Sequence, residues 1–191
     1  TGCMFRENTA ESAGGGLRVS SGASVDVRDC VFKGNDVQFG GGVMVRDDSD
    51  VVVDGTLFEG NTAEYSAGLR CENAQVAIAN SVFSRNDAYS GGGVGSGDSG
   101  HLAMMHCVFY ANTASLRGAG YACGTPANVQ YCTFVLGVAP TASGIFCGPP
   151  QGDLDMANSI VAFGEGPAMT CDVGGAPTVT QCCFYDNAGG N

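Results

Sequence analysis

The side chains best suited to metal or acid–base chemistry in this 191-residue chain lie in one short acidic segment. The segment Arg46-Asp47-Asp48-Ser49-Asp50 carries three carboxylates. Carboxylate oxygens are the ligands that calcium prefers, and paired carboxylates can act as general acid and base in sugar hydrolysis. Asp47, Asp48 and Asp50 are therefore a candidate calcium site, and a solvated acidic turn is the alternative.

No set of residues is predicted to form a catalytic centre. His101 and His106 flank the apolar segment Leu102-Ala103-Met104, and neither has a serine or cysteine nucleophile as a partner in the sequence. The 10 cysteines include no Cys-x-x-Cys pair, the spacing that is typical of structural zinc sites. The sequence therefore favours a non-enzymatic function over an enzymatic one.

The charge of the chain excludes one class of partner. Only 8 Lys and Arg residues stand against 19 Asp and Glu residues, which gives a formal net charge of −11. Nucleic acids are bound by stripes of Lys and Arg, so we expect no nucleic-acid partner. The sequence has no apolar stretch of about 18 residues, so it also predicts no transmembrane helix.

A repeat explains the composition, in which 31 residues are Gly and none is Trp. The tag Phe-x-x-Asn recurs at Phe5–Asn8, Phe32–Asn35, Phe58–Asn61, Phe83–Asn86, Phe109–Asn112 and Phe184–Asn187. The first five of these phenylalanines are separated by 27, 26, 25 and 26 residues. A fixed period of this length indicates stacked structural repeats, about seven over the whole chain.

Within each repeat, inward apolar positions alternate with outward ones, as in Val25-x-Val27 and Cys30-x-Phe32. A period of two predicts short strands that turn one face to the core, three in each repeat. We therefore predict an all-β fold, a right-handed parallel β-helix solenoid of about seven coils with about 26 residues each. Residues 1–191 are expected to form a single β-helix domain that is a segment of a longer protein.

The repeated asparagines share one position at a strand end: Asn8, Asn35, Asn61, Asn86 and Asn112. Asparagine side chains bond to turn backbone, and stacked amides can bond to one another along a column. The sequence predicts a structural asparagine ladder at this corner, with ligand binding as the alternative. Glycine runs such as Gly40-Gly41-Gly42 precede the first strand of a coil, where neighbouring backbones must approach closely.

The pairing of Gly-Gly-x-aliphatic with Phe-x-x-Asn resembles the repeats of chlamydial polymorphic membrane proteins. More broadly, the chain is similar to secreted bacterial right-handed parallel β-helix repeat proteins of the pectate-lyase-like superfamily. The segments 157–163 and 182–187, with Cys171 between them, are similar to the last coils of such surface proteins. The resemblance implies a secreted or cell-surface location. It leaves the activity open, because the same fold serves lyases, hydrolases, adhesins and spacers.

Most cysteines fall into two columns of inward positions. One column contains Cys3, Cys30, Cys107, Cys132 and Cys182, and the other contains Cys71, Cys123, Cys147 and Cys171. Equivalent residues of neighbouring coils lie about 4.8 Å apart, inside the Cα window of a disulfide, which is roughly 4.4–6.8 Å. Disulfides can therefore form between Cys3 and Cys30, between Cys107 and Cys132, and within one pair among Cys123, Cys147 and Cys171. Buried free thiols are the alternative.

The leading functional prediction is a non-enzymatic extracellular module for structure or adhesion, a rigid β-helix stalk or fibre segment that can stack end to end. Outward positions late in the chain, such as Tyr110 and Val135, are uncharged, which favours contact with another protein. The alternative is a carbohydrate-active or glycan-binding β-helix. Its mark would be an outward carboxylate cluster in a groove with arginine and aromatic residues. No cofactor is expected except calcium at the acidic segment.

Overall fold

The computed structural model describes residues 1–148, 153–172 and 177–190, and these residues form 26 short strands and no helix. In chain order the strands are β1 Met4–Arg6, β2 Leu17–Val19, β3 Ser24–Arg28, β4 Val31–Lys33, β5 Asp36–Phe39, β6 Val43–Arg46, β7 Asp50–Asp54, β8 Leu57–Glu59, β9 Thr62–Tyr65, β10 Leu69–Glu72, β11 Gln75–Ala79, β12 Val82–Ser84, β13 Asp87–Ser90, β14 Val94–Gly97, β15 His101–Met105, β16 Val108–Tyr110, β17 Thr113–Arg117, β18 Tyr121–Cys123, β19 Ala127–Gln130, β20 Thr133–Val135, β21 Ile145–Cys147, β22 Leu154–Ala157, β23 Ile160–Ala162, β24 Met169–Cys171, β25 Thr178–Thr180 and β26 Cys183–Tyr185.

Four parallel sheets surround the core, and the chain visits them in turn. Sheet 1 contains β1, β4, β8, β12, β16, β20, β23 and β26; sheet 2 contains β5, β9, β13 and β17; sheet 3 contains β2, β6, β10, β14, β18, β21 and β24; sheet 4 contains β3, β7, β11, β15, β19, β22 and β25. Phe5 pairs with Phe32, and Phe32 pairs with Phe58, so equivalent residues stack directly on one another. The predicted fold class, an all-β parallel β-helix of about seven coils, is confirmed.

Sheet 2 is a feature that the sequence did not predict, because only three strands per coil were expected. Its strands follow the asparagine positions in the central coils, and their inward residues are Val37, Ala63, Ala88 and Ala114, all buried. Alanine is only weakly hydrophobic and is depleted in strands, so the alternation of inward and outward positions is weak in this part of the sequence. The ladder forms here because the neighbouring sheets already hold each coil in register.

The largest side chains of the core form a stack under sheet 1. The rings of Phe5, Phe32, Phe58, Phe83, Phe109 and Phe134 lie nearly parallel, with centroid distances from 4.4 to 5.0 Å between neighbours. From Phe32 to Phe134 these side chains are at most 2% exposed. Burial of a phenylalanine side chain contributes about 1.5–3 kcal/mol, so this stack is a principal stabilising element of the solenoid.

The glycines beside the stack are required by space. A Cβ atom at Gly93 would lie 2.7 Å from Cδ1 of Phe109 and 2.6 Å from the carbonyl oxygen of Gly120. The same conflict recurs at Gly42 with Phe58 and at Gly68 with Phe83. The recurring Gly-Gly and Phe tags therefore form one packing unit, in which the absence of a glycine side chain makes room for the phenylalanine ring.

The corners that lead into and out of sheet 1 are made by single residues in the left-handed region. Arg85 and Ala111, directly before the asparagine column, have φ of 53° and 50°. Asn80 and His106, before the Cys30 column, have φ of 48° and 53°. A left-handed residue costs about 1–2 kcal/mol relative to the right-handed region, and the hydrogen bonds between coils offset that cost.

Candidate functional site: a groove on sheet 3

The outward face of sheet 3 carries a groove of about 320 Å³. Arg70, Gly95, Ala122 and Phe146 are in-register neighbours across four adjacent strands. The two middle positions have almost no side chain, whereas the outer two are large. The groove lies over Ala122, between the side chains of Arg70 and Phe146. Hereafter the sheet 3 groove means the cleft lined by Tyr65, Arg70, Ser90, Asp98, Arg117, Ala122, Phe146 and Asp172.

Arg70 forms one wall of the groove and is fixed in place on two sides. Its Nε and Nη2 atoms donate to Oε1 of Glu72 at 2.8 and 2.7 Å, and both side chains are 18% exposed. The guanidinium carbon also lies 5.8 Å from the ring centroid of Tyr65. Two anchors reduce the rotamer freedom that a long side chain would lose on binding a ligand.

Arg117 forms the opposite wall at the end of β17. Its guanidinium carbon lies 4.5 Å from the centroid of the buried Phe146 ring, which is cation–π contact distance. Among the described residues Arg117 has no ion pair, and neither do Asp98 and Asp172, which line the same groove. The groove therefore presents both hydrogen-bond donors and acceptors that are not committed to each other.

Ser66 directly follows Tyr65, which lines the groove, and lies over Gly95. The residue is fully buried with φ of 61°, and its Oγ atom has no hydrogen-bond partner among the described residues. A side chain at Gly95 would collide with this hydroxyl, so Ser66 covers the outer surface of Gly95. A strained residue with an unsatisfied buried hydroxyl costs a few kcal/mol. Such costs cluster at functional sites.

Comparison with protein families finds one match, to the right handed beta helix region, over residues 1–134. The chain belongs to the right-handed β-helix family. Neither the curated proteins nor the solved structures contain a significant match to this chain. Within the described residues, the β-helix contains no helix long and apolar enough to cross a membrane.

The acidic segment of this β-helix lies in the turn between β6 and β7. Asp47 is paired with Nε of Arg46 at 3.0 Å, Asp48 accepts a hydrogen bond from Nδ2 of Asn73 at 3.3 Å, and Asp50 begins β7. In the part of the chain that the structure describes, no three His, Cys, Asp or Glu side chains are placed to share a metal ion. Two of the three carboxylates are thus engaged with other side chains, and calcium binding at Asp47, Asp48 and Asp50 remains a prediction.

The asparagine positions form one hydrogen-bonded column at the corner after sheet 1. Each Nδ2 donates to Oδ1 of the next asparagine at 2.8–3.0 Å, through Asn8, Asn35, Asn61, Asn86 and Asn112. Each Oδ1 from Asn35 onward also accepts the backbone N–H of the preceding asparagine. The amides thus satisfy one another and the turn backbone, far from the groove.

The ten cysteines of this β-helix are free thiols in the structure. Cys107 and Cys132 are buried in neighbouring coils, and Cys123 and Cys147 are buried and in register. The thiols of Cys107, Cys132 and Cys123 donate to backbone carbonyl oxygens. Cys3 is exposed, and its Sγ contacts the carbonyl oxygen of Thr1. The predicted disulfides are therefore not formed in this structure, and bridging remains a prediction.

The groove residues Arg70, Arg117 and Phe146 were missed at the level of sequence. A signal for them exists in the outward column of sheet 3, which reads Arg18, Met44, Arg70, Gly95, Ala122, Phe146, Thr170. Two small residues between two large ones predict a depression once the register is known. The register of sheet 3 is hard to read from the sequence because the loop before each strand varies in length.

Proposed function

We propose that this chain is a rigid β-helix module of a secreted or cell-surface bacterial protein, and that it serves adhesion. The observation that carries the proposal is the solenoid interior, which stacked side chains fill from coil to coil, so that the lateral faces are presented on a rigid support. The phenylalanine stack and the asparagine ladder support rigidity. The anchored Arg70 and Arg117 support recognition, since their donors are held in place before a partner arrives.

Adhesion can be tested with beads that carry the purified chain. Retention on cultured cells under flow is expected to exceed that of albumin-coated beads and to fall when Arg117 is changed to Ser. The matched control is Arg18→Ser, because Arg18 occupies the same outward column of sheet 3 outside the groove. Retention equal to that of albumin beads would overturn the adhesion function.

A glycan-binding or carbohydrate-active role is the second candidate, and the groove is the observation that favours it. Sugar hydroxyls both donate and accept hydrogen bonds, and the groove offers Arg117 as a donor beside Asp98 and Asp172 as acceptors. A panel of polysaccharides, assayed with and without calcium for binding and for new reducing ends, separates the candidates. Saturable cleavage that is lost in Arg117→Ser but kept in Arg18→Ser would replace adhesion by catalysis.

End-to-end stacking is part of the same proposal. Inward residues of the first coil, such as Phe5 and Leu17, are only partly buried, and Val179 near the other end is 38% exposed. Apolar surface and unpaired strand edges at a solenoid end recruit further strands. Light scattering is expected to show concentration-dependent association, and a strictly monomeric species at all concentrations would remove stacking from the proposal.

A further inference from the structure

Three cysteines stack directly on one another at the end of sheet 3. Cys123 pairs with Cys147 and Cys147 pairs with Cys171 in consecutive parallel strands, β18, β21 and β24. All three side chains occupy the same inward position of consecutive coils, and Sγ of Cys123 donates to the backbone carbonyl oxygen of Thr125 at 2.9 Å. Equivalent positions of neighbouring coils lie about 4.8 Å apart, which is within the Cα range of disulfides.

Solvent reaches this column from one end. Cys123 and Cys147 are 2% and 0% exposed, whereas Cys171 is partly exposed. A dissolved small disulfide can therefore contact Cys171 first. A column of three thiols can hold only one bridge at a time, so one thiol always stays free beside the bridge.

A bridge in this column is expected to be exchangeable. Side chains in register on parallel strands keep their Cβ atoms near the strand spacing of about 4.8 Å, whereas disulfides prefer about 3.8 Å. Closing that gap strains the bond, and strained disulfides are the more easily reduced and exchanged ones. The third thiol lies directly beside such a bond.

We propose that Cys123, Cys147 and Cys171 form a thiol relay in which one disulfide is loaded at Cys171 and then moves inward. The Cys171 thiolate attacks a small disulfide, forms a mixed disulfide and releases one small thiol. The Cys147 thiolate then attacks the Cys171 sulfur and displaces the second small thiol. Finally the Cys123 thiolate attacks the Cys147 sulfur and releases the Cys171 thiolate. Two protein thiols are oxidised, and one small disulfide is reduced to two thiols.

Burial raises the pKa of the Cys171 thiol, so loading at Cys171 is expected to be slow at neutral pH and to become faster as the pH rises. The neighbouring Cys123 and burial also raise the pKa of Cys147, so attack by Cys147 is expected to be slow as well. The relay does not depend on the sheet 3 groove, but it requires that no stacked coil covers Cys171 in β24, the last strand of sheet 3.

The chain provides its own control thiols. Cys71 lies in the same column but is separated from Cys123 by Ser96, and it is fully buried. Cys107 and Cys132 form a buried pair with Ser81 and Ser159 beyond them and no exposed third thiol. A general oxidation of buried thiols would affect these three cysteines, whereas the relay leaves them reduced.

The test uses the reduced full chain, incubated with oxidised glutathione at about pH 8 and quenched with N-ethylmaleimide over time. Chymotryptic cleavage at Tyr121, Tyr131, Phe134, Phe146 and Phe163 places Cys123, Cys132 and Cys147 in separate fragments. Cys171 shares its fragment with Cys182 and Cys183, so fragmentation in the mass spectrometer assigns the modified cysteine there. The expected sequence is glutathione on Cys171, then a Cys147–Cys171 bridge, then a Cys123–Cys147 bridge. The two bridges together should not exceed one per molecule, and Cys71 should stay unmodified until the chain is denatured.

Two variants decide the mechanism. Cys171→Ser is expected to slow formation of the Cys123–Cys147 bridge by at least about tenfold, because the accessible nucleophile is gone. Cys123→Ser is expected to hold the bridge at Cys147–Cys171. Serine already occupies this column at Ser96, and circular dichroism checks that both variants fold. Persistent glutathione on Cys171 without either bridge, or a wild-type rate in Cys171→Ser, would overturn the relay.

Discussion

Asn86 illustrates how much one side chain can do in a stacked fold. Its Oδ1 accepts from the backbone N–H and Nδ2 of Asn61, and its Nδ2 donates to Oδ1 of Asn112 and to the carbonyl oxygen of Phe58. All four partners belong to other coils. The residue therefore joins three coils through one amide.

Replacing Asn86 with Ala should be strongly destabilising. The change leaves buried groups of Asn61 and Phe58 without partners, and each unsatisfied group costs about 1–3 kcal/mol. We expect a loss of about 2–4 kcal/mol in the free energy of unfolding, measured by urea denaturation. The control Asn8→Ala, at the exposed end of the ladder, should cost less than about 1 kcal/mol. Equal losses in the two variants would show that the ladder does not act through burial.

Cys71 should make the β-helix less stable at alkaline pH. Burial raises its pKa from 9.0 to about 12. The unfolded chain therefore loses this proton near pH 9 while the folded chain keeps it, so the stabilising contribution is complete below pH 9 and is lost as pH rises towards 12. In Cys71→Val, the fall in unfolding free energy with pH should be shallower by about 1.4 kcal/mol per pH unit in this window.

Valine is a suitable replacement because Val19 and Val45 occupy the same inward column. Packing is thereby kept while the titrating group is removed. The measurement is a series of urea unfolding curves from pH 8 to pH 11 for both proteins. Identical slopes would show that the Cys71 thiol is not protected from ionisation by the core.

At the level of elements, the contact between the glycine corner and the phenylalanine stack should tolerate no added methyl group. Gly93→Ala places a carbon against both the Phe109 ring and the Gly120 carbonyl, and overpacking of this kind costs about 1–3 kcal/mol. Thermal and urea unfolding should both show the loss. Gly60→Ala is the comparison, since no atom lies within 4 Å of a Cβ there and only the positive φ of 60° is unfavourable.

The comparison separates two reasons for glycine at corners. At Gly60 the cost is conformational, about 1 kcal/mol, whereas at Gly93 it is steric. A Gly93→Ala variant that loses no more stability than Gly60→Ala would mean that the phenylalanine stack can shift to make room. The packing of glycine against phenylalanine under sheet 1 would then be more deformable than the ring distances suggest.

Elements of this fold differ in how far the sequence predicts them. Phe83 and Asn86 recur at a constant spacing with distinctive side chains, so sheet 1 and its corner can be predicted from the sequence. The residues Ala88 and Ala114 of sheet 2 are not distinctive in type, so the sequence does not indicate this sheet. The groove depends on Tyr65, Arg70 and Phe146, which are far apart in the chain and meet only through the register of sheet 3. Predicting the groove requires the register of sheet 3, and that register depends on loops whose lengths vary from one repeat to the next.

At the scale of the whole molecule, both internal columns are interrupted in the later coils. The position equivalent to Phe134 is Val161 in the next strand of sheet 1, and Gly137 takes the place that Asn112 holds one coil earlier. Sheet 2 also has no strand after β17 among the described residues. In a solenoid, stability is approximately a sum over repeats and their interfaces. The two ends should therefore differ.

Hydrogen exchange can measure this difference. Amides of β23 should exchange faster than those of β4, although each strand is second from an end of sheet 1. Because both strands are second from an end of sheet 1, fraying of the terminal strands alone would not make their exchange rates differ. Mass spectrometry of the exchanging chain gives both rates in one experiment. Equal protection of the two strands would show that interrupted columns do not weaken the β-helix.

Hydrogen bonding that connects only adjacent coils has a consequence for how such a chain can evolve. A gene duplication or deletion that spans one whole repeat changes the length of the rod yet leaves every remaining residue opposite an equivalent partner. A single inserted codon inside a strand does the opposite, since it reverses which side chains face inward. Heritable change in length should thus occur in steps of about 26 residues, so related genes can diverge in reach while keeping one interior.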